Sequence, residues 1–290
     1  MKHSFWISFF LVLLFLATQF VGLKIIDNYV DAEATAETGV ISYKPLPYNI
    51  ERPDVAPETS VWLIVIGVLI GTGLILLLIR FRQVNLWRVW FFLSVLLTLS
   101  VAFSSFIASF AAFLLSLFLS AWKIFRPNVI IHNITEIFIY GGLAAIFVPL
   151  LNILAVSILL VLISAYDAFA VWKSRHMVKM AEFQTSSNLF SGLYIPHGGN
   201  VRMEPVSKNV KGTSRVRSAV LGGGDMGFPL IFAGVVMKDV GLLRALAIPV
   251  VVSFFLLGLL IFGKKNRFYP AMPFLTVGCF IGYLIAVYVL

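Results

Sequence analysis

The chain has 290 residues, 60% of them hydrophobic and only 12% charged, which excludes a water-soluble globule. Repeated apolar runs of about 20 residues mark a polytopic helical membrane protein, and the lack of strand-period alternation excludes a β-barrel. The net charge of +9 does not point to nucleic acid, because the basic residues gather at the edges of apolar runs, where they set topology.

In chain order, Lys2 precedes an apolar run with the look of a signal peptide. The run is too long, and no small-residue cleavage site follows it promptly, so it reads as an uncleaved first span at 4–26. Residues 27–59 are acidic (Asp27, Asp31, Glu33, Glu37, Glu51, Asp54 and Glu58) and contain prolines. They read as an extracytoplasmic loop with little core of its own. Span two is placed at 60–79, where Gly67-x-x-x-Gly71 has the spacing of a helix-packing motif. Spans three and four, 86–104 and 106–122, are divided at Ser104-Ser105, within a stretch without charge. Span five, 129–148, ends at Pro149, which disfavours helix continuation, and span six covers 150–172. A basic loop, 173–218, follows. Its stretch NLFSGLYIP can form a short strand bounded by Pro196 and the Gly198-Gly199 turn. Spans seven to nine are placed at 219–237, 240–262 and 270–290.

The basic residues test this layout. With the N-terminus inside, only Lys24, Lys44, Arg52, Lys238 and Arg244 fall outside, and the other 17 of 22 fall inside. The positive-inside rule therefore predicts an all-α protein of nine transmembrane helices, N-terminus inside and C-terminus outside. Merging spans three and four would put the later basic loops on the wrong side. The chain divides into residues 1–149, with spans one to five and the acidic loop, and residues 150–290, with spans six to nine and the basic loop.

Two aspartates lie within these apolar segments, Asp167 in LLVLISAYDAFAVW and Asp225 in SAVLGGGDMGFPLIF. A carboxylate in a bilayer is costly and faces protein or water, so it is a functional candidate. Asp167 lies six residues before Lys173, about 9 Å inside the inner edge by helical rise. Asp225 lies eight residues beyond Arg217, about 12 Å inside the same edge if helix continues there. Antiparallel spans six and seven can therefore pair them at matched depth. Two neighbouring carboxylates tend to share a proton. The ionised partner can then take a proton from water while the neutral one polarises a carbonyl. Gly222-Gly223-Gly224 before Asp225 leaves room for water and an unwound substrate. The same glycines would also suit helix packing.

Tyr166-Asp167, Gly222-Gly223-Gly224-Asp225 and Pro270-Ala271-Met272-Pro273 resemble, in order, the YD, GxGD and PAL motifs of the presenilin and signal peptide peptidase intramembrane aspartyl proteases. YDAFAVWKSRHMVKMAE is particularly similar to archaeal members. The motif resemblance covers roughly residues 150–290; over 1–149 it is one of topology alone. It implies that Asp167 and Asp225 are the catalytic dyad of an aspartic-type endopeptidase. It also implies that Tyr166 supports the first aspartate, that Gly222 and Gly224 shape the approach to the second, and that Pro270, Ala271 and Met272 line the site. Met272 stands where the pattern has leucine, an exchange that keeps size and apolarity. The resemblance further implies substrate presented partly by strand pairing. LFSGLYIP or the residues leading into span seven could supply that edge, and a solvated loop is the alternative for the former.

Glu136 is the third acid within a span. With His132 and Asn133 it reads as a structural polar cluster in preference to a gating element. It does not complete H-E-x-x-H, so a zinc protease has no ligand set; His3, His176 and His197 lie outside the spans. Ser191 lacks a buried histidine partner in sequence. GLLIFGKK misses the Ser/Thr of a phosphate loop and sits at a span end. Cys279 cannot form an internal disulfide. The expected activity is hydrolysis of peptide bonds in transmembrane helices, with no metal or organic cofactor. The expected partners are transmembrane-helix substrates and membrane lipid, with room for a homo-oligomer, and the expected location is the cell membrane of an archaeon. A proton-coupled transporter or ion channel is the alternative use of paired carboxylates. It predicts a matching broken span in the other half, and the sequence has no such segment.

Overall fold

The computed structural model describes residues 5–81, 83–173, 180, 183–184, 189–196, 219–263 and 269–289. Most of the 173–218 loop, the Gly198-Gly199 turn, Arg217 and Lys264 to Arg267 lie outside the described residues, as do His3, His176 and His197.

Among the described residues the long helices follow one another in the expected order. They are α1 (Phe5–Asn28), α3 (Pro57–Arg80), α4 (Val84–Ser104), α5 (Ser109–Phe125), α6 (Val129–Phe147), α7 (Ile153–Trp172), α8 (Gly223–Val240), the pair α9 (Leu242–Ala245) and α10 (Ala247–Phe262), and α11 (Met272–Tyr288). Among the described residues six helices are long and apolar enough to cross a membrane, and α5 and α11 are shorter apolar helices. α8 carries Asp225, Lys238 and Asp239 within 18 residues.

Local chemistry sets the boundaries. Pro57 opens α3 at its first turn, where a missing N–H costs nothing. Asn128 and Asn152 cap α6 and α7, their side-chain oxygens accepting from Ile130 N at 2.8 Å and Ala155 N at 2.7 Å. Pro149 sits in a single 3-10 turn, Val148–Leu150, between α6 and α7. The break between α4 and α5 begins at Ser104 and ends at Ser109, beside the predicted Ser104-Ser105 junction.

Span seven needs a correction. Residues 219–222 are not helical. They form a strand, β4 (Ala219–Gly222), antiparallel to β3 (Gly192–Ile195). The depth derived for Asp225 from continuous helix after Arg217 therefore does not apply. Asp225 is the third residue of α8, not a residue two turns into it. Of the two readings open for NLFSGLYIP, strand or solvated loop, Gly192–Ile195 take the strand, β3.

α8 lies at the centre of the bundle. Met226, Leu230, Phe232, Ala233, Val235 and Val236 are all buried, against α1, α6, α7, α10 and α11. α3 is the opposite case, touching α7 and α4 and remaining largely exposed. The helix-packing reading of Gly67 and Gly71 is corrected here: a Cβ at either would meet nothing within 4 Å. The close approach belongs to Gly278-x-x-x-Gly282 of α11. There a Cβ would come within 3.1 Å of Val252 Cα and 2.8 Å of Ile248 Cα on α10, so small residues allow the two backbones to meet.

The outer segment holds β1 (Val30–Asp31), paired with β2 (Ser42–Tyr43), and the short α2 (Ala32–Thr38). α2 buries nothing. The buried residues Tyr29 and Leu46 pack against Val101, Ala102 and Ala145 of the bundle, so this loop borrows its core from the helices. Arg52 lies 6.0 Å from the Tyr29 ring and 5.9 Å from the Tyr43 ring. Burial pushes the Tyr29 phenol up to about 12 against the opposing pull of Arg52, and burial raises Tyr43 as well.

Candidate active site

Both aspartates belong to helix N-termini, reached from different directions. Gly222 is the N-cap of α8 in extended conformation (φ −67°, ψ 152°), so β4 runs into the helix without a loop. Asp225 stands at the third helical position, with its carboxylate beside the Gly222 amide. This is the back-reaching half of a capping box, and the helix dipole favours negative charge there. Pro229, four residues on, lacks the N–H that would bond the Asp225 carbonyl.

Asp167 comes from the last part of α7 and is buried. Its Oδ2 accepts from Met272 N at 3.1 Å, and the Ala271 amide lies beside the same carboxylate. These are orphan amides at the start of α11, where Ala271 is the N-cap and has no cap of its own. Asp167 thus caps α11 from another helix. Proline at 273 removes one further orphan donor. The Pro-Ala-Met-Pro segment and the first aspartate form one hydrogen-bonded unit. α7, which carries Asp167, packs against α8, which carries Asp225. Gly224 is exposed and Asp225 half-buried, so the first turn of α8 opens toward the surface.

Tyr166 donates its hydroxyl to Thr72 Oγ1 of α3 at 3.2 Å, tying the peripheral helix to α7. Ser164 Oγ and Thr276 Oγ1, 2.6 Å apart, link α7 to α11. Of the three glycines, the one in closest contact is Gly223, where a Cβ would lie 2.6 Å from the Tyr140 hydroxyl and 2.9 Å from Ser191 Oγ. At Gly222 the nearest atom would be Asp225 Oδ2 at 3.3 Å, and at Gly224 the Phe228 ring at 3.7 Å. Sequence reasoning emphasised Gly222 and Gly224 and missed Gly223. It also missed Gln19, a buried polar residue of α1 whose Nε2 donates to Met226 O at 2.9 Å. Its polarity in an apolar span was the available signal.

The polar cluster of α6 meets the hairpin. His132 Nε2 lies 2.7 Å from Gly192 O. Asn133 Nδ2 donates to Tyr194 O at 2.8 Å, and Tyr194 N donates to Asn133 Oδ1 at 3.0 Å. Gly192 N donates to Glu136 Oε2 at 3.0 Å. Glu136 is paired with Lys123 of α5 at 2.6 Å and accepts from the Tyr140 hydroxyl. Gly192 and Tyr194 therefore turn their backbone groups to α6, and the alternation of a strand turns Leu193 and Ile195 to β4. Their partners are Leu221 and Ala219. Val220, exposed, turns its backbone groups the other way, and so does Gly222.

A family model for signal-peptide peptidase, presenilin aspartyl protease matches residues 44–290. Among solved structures, a presenilin family intramembrane aspartate protease in space group C222 aligns at 20% identity over 98% of this chain and 99% of its own, with a TM-score of 0.63. The same description in space group P2 aligns at 19% identity over 97% of each chain, with a TM-score of 0.61. No curated protein matches. At such identities the structures speak for the fold, while the family match covers most of the chain. The chain is an integral multi-pass membrane protein that belongs to the signal-peptide peptidase and presenilin family of intramembrane aspartyl proteases.

Proposed function

We propose that this protein hydrolyses peptide bonds within transmembrane helices, with Asp167 and Asp225 as the catalytic dyad. The observation that carries the reading is that each carboxylate is set at a helix N-terminus, Asp167 accepting from Met272 N of α11 and Asp225 at the third position of α8, on helices α7 and α8 that pack together. In this reading the pair holds one proton between them. One member draws a proton from water as it attacks the carbonyl, and the other donates a hydrogen bond to the developing oxyanion. The titration belongs to the pair, so neither role is fixed to one residue.

A helical substrate shields its amides by its own hydrogen bonds, so it must unwind. Among the described residues, the outward edge of β4 at Val220 pairs with neither α6 nor β3. A substrate strand added there would run past Gly222 toward Asp225. Tyr166 would stiffen the α7 end of the site through α3. Pro270, Ala271 and Met272 would line it, and Gly222 and Gly224 would keep the approach to Asp225 clear. The nine-span layout with an inner N-terminus and outer C-terminus places the dyad near the inner face, in an archaeal cell membrane. The helix order among the described residues supports the sequence of spans, and the orientation rests on the basic residues alone.

Purified protein in detergent or vesicles is tested on a transmembrane peptide. Asp167→Ala and Asp225→Ala should each abolish cleavage while retaining the wild-type unfolding profile. Cleavage at the wild-type rate by either variant would sink the assignment.

A further inference from the structure

The α6 cluster is laid out as a strand partner. β3 has two edges. One pairs with β4, and the other meets side chains. Asn133 makes the two-way pairing with Tyr194 that a neighbouring strand would make, at 2.8 and 3.0 Å. His132 and Glu136 meet the carbonyl and the amide of Gly192 in the same manner. His132, Asn133 and Glu136 are all buried. Glu136 is held on its far side by Lys123, whose ammonium also donates to Thr135 Oγ1 at 2.9 Å. The same carboxylate accepts from Tyr140, whose hydroxyl lies 3.3 Å from Ser191 Oγ. That hydroxyl stands over Gly223, two residues before Asp225.

Covering a sheet edge needs only satisfied backbone groups. This arrangement also fixes register. An amide that both donates to and accepts from one residue admits a single alignment of β3 on α6. A slip by one residue would turn every side chain of the strand to the opposite face.

We propose that Asn133 and Glu136 are positioning residues that lock the β3–β4 hairpin in one register relative to Asp225, and so set which substrate bond is cut. The proposal rests on the proposed proteolytic function, with substrate added to the outward edge of β4. Asn133→Ala removes the Tyr194 half of the lock and leaves the strand held only at Gly192. The outward edge of β4 then samples more than one alignment, and the substrate carbonyl meets the dyad less often. Displacement on the scale of 1 Å costs up to about 10²-fold in rate.

The experiment compares wild type, Asn133→Ala and Leu99→Ala on one transmembrane peptide. It measures kcat, KM, product masses and the unfolding midpoint. Leu99 is buried in α4, so its truncation serves as a control for general destabilisation. For Asn133→Ala, kcat falls at least about tenfold, KM changes by less than about threefold, and additional products appear that are displaced by one or more residues. Leu99→Ala lowers the midpoint and leaves the product masses unchanged. A single wild-type product at wild-type kcat from Asn133→Ala overturns the proposal, as does the same product spread from Leu99→Ala. If Asn133→Ala does not fold, Asn133→Asp decides by the same readouts, since it keeps the acceptor for the Tyr194 amide and loses the donor to its carbonyl. Wild-type protein that cleaves nothing would defeat the proteolytic reading itself, a separate outcome from wild-type cleavage with an unmoved Asn133 variant.

Discussion

Gly223→Ala is the sharpest perturbation at the start of α8. A Cβ there would meet the Tyr140 hydroxyl at 2.6 Å, Ser191 Oγ at 2.9 Å and Tyr140 Cε1 at 3.1 Å. Ordinary contact begins near 3.4 Å, so the ring or the helix start must yield by about 0.8 Å, the difference between 3.4 and 2.6. Tyr140 is buried and its hydroxyl is bound to Glu136, so the ring cannot move freely. Overpacking of this kind costs about 1–3 kcal/mol. Alanine recovers up to about 1 kcal/mol of that through its better helix propensity. If the helix yields instead, Asp225 shifts by a comparable distance, and cleavage can fall by up to about 10²-fold. Gly224→Ala meets only the Phe228 ring at 3.7 Å and should leave stability unchanged or slightly raised. The assay is thermal unfolding of the purified protein together with peptide cleavage, for Gly223→Ala, Gly224→Ala and Gly223→Ala combined with Tyr140→Phe. Removing the hydroxyl relieves the nearest contact, so the double variant should lose less than the two single losses added together. Gly223→Ala with wild-type midpoint and rate, or strictly additive losses in the double variant, would refute the steric argument.

Other outcomes follow from the same geometry. Lys123→Met should destabilise the protein by about 3–5 kcal/mol, because it leaves the Glu136 carboxylate buried without its counter-charge. Combining it with Glu136→Gln should restore part of the loss, read as a recovered unfolding midpoint. Gly67→Ala and Gly71→Ala should be neutral or stabilising by up to about 1 kcal/mol each, since neither side chain meets anything. Gly282→Ala should lower the midpoint, because its Cβ would meet the α10 backbone at 2.8 Å. The Tyr29 phenol is raised from its ordinary 10.0 to about 12 by burial. Its contribution to stability is thus complete below pH 10 and is lost as pH rises toward 12. Phenolate absorbance compared between wild type and Tyr29→Phe reads that window.

The sequence alone determined the helix order and the places where helices stop, because both depend on local patterns. Apolar runs of bilayer length and Pro149 act within a few residues of themselves, and so do Pro57 and the caps Asn128 and Asn152, which the sequence reading passed over. Asp167 and Asp225 were legible for the same reason: a carboxylate in an apolar run is conspicuous without knowledge of its neighbours. The strand in NLFSGLYIP was legible from its apolar residues and its bounding proline. The tertiary structure alone decided that residues 219–222 join that strand instead of extending α8, since a strand needs a partner and the partner lies in a distant part of the chain. It also decided which GxxxG spacing is in close contact. Gly67-x-x-x-Gly71 and Gly278-x-x-x-Gly282 look alike in sequence, and among the described residues the second, unlike the first, meets another helix backbone. The capping of α11 by Asp167 spans 105 residues, and the Asn133 pairing with Tyr194 spans 61. Hydropathy and propensity are sums over neighbours in sequence and can report what a segment is. A hydrogen bond or a steric contact between segments exists only once the packed chain has brought both groups to one place.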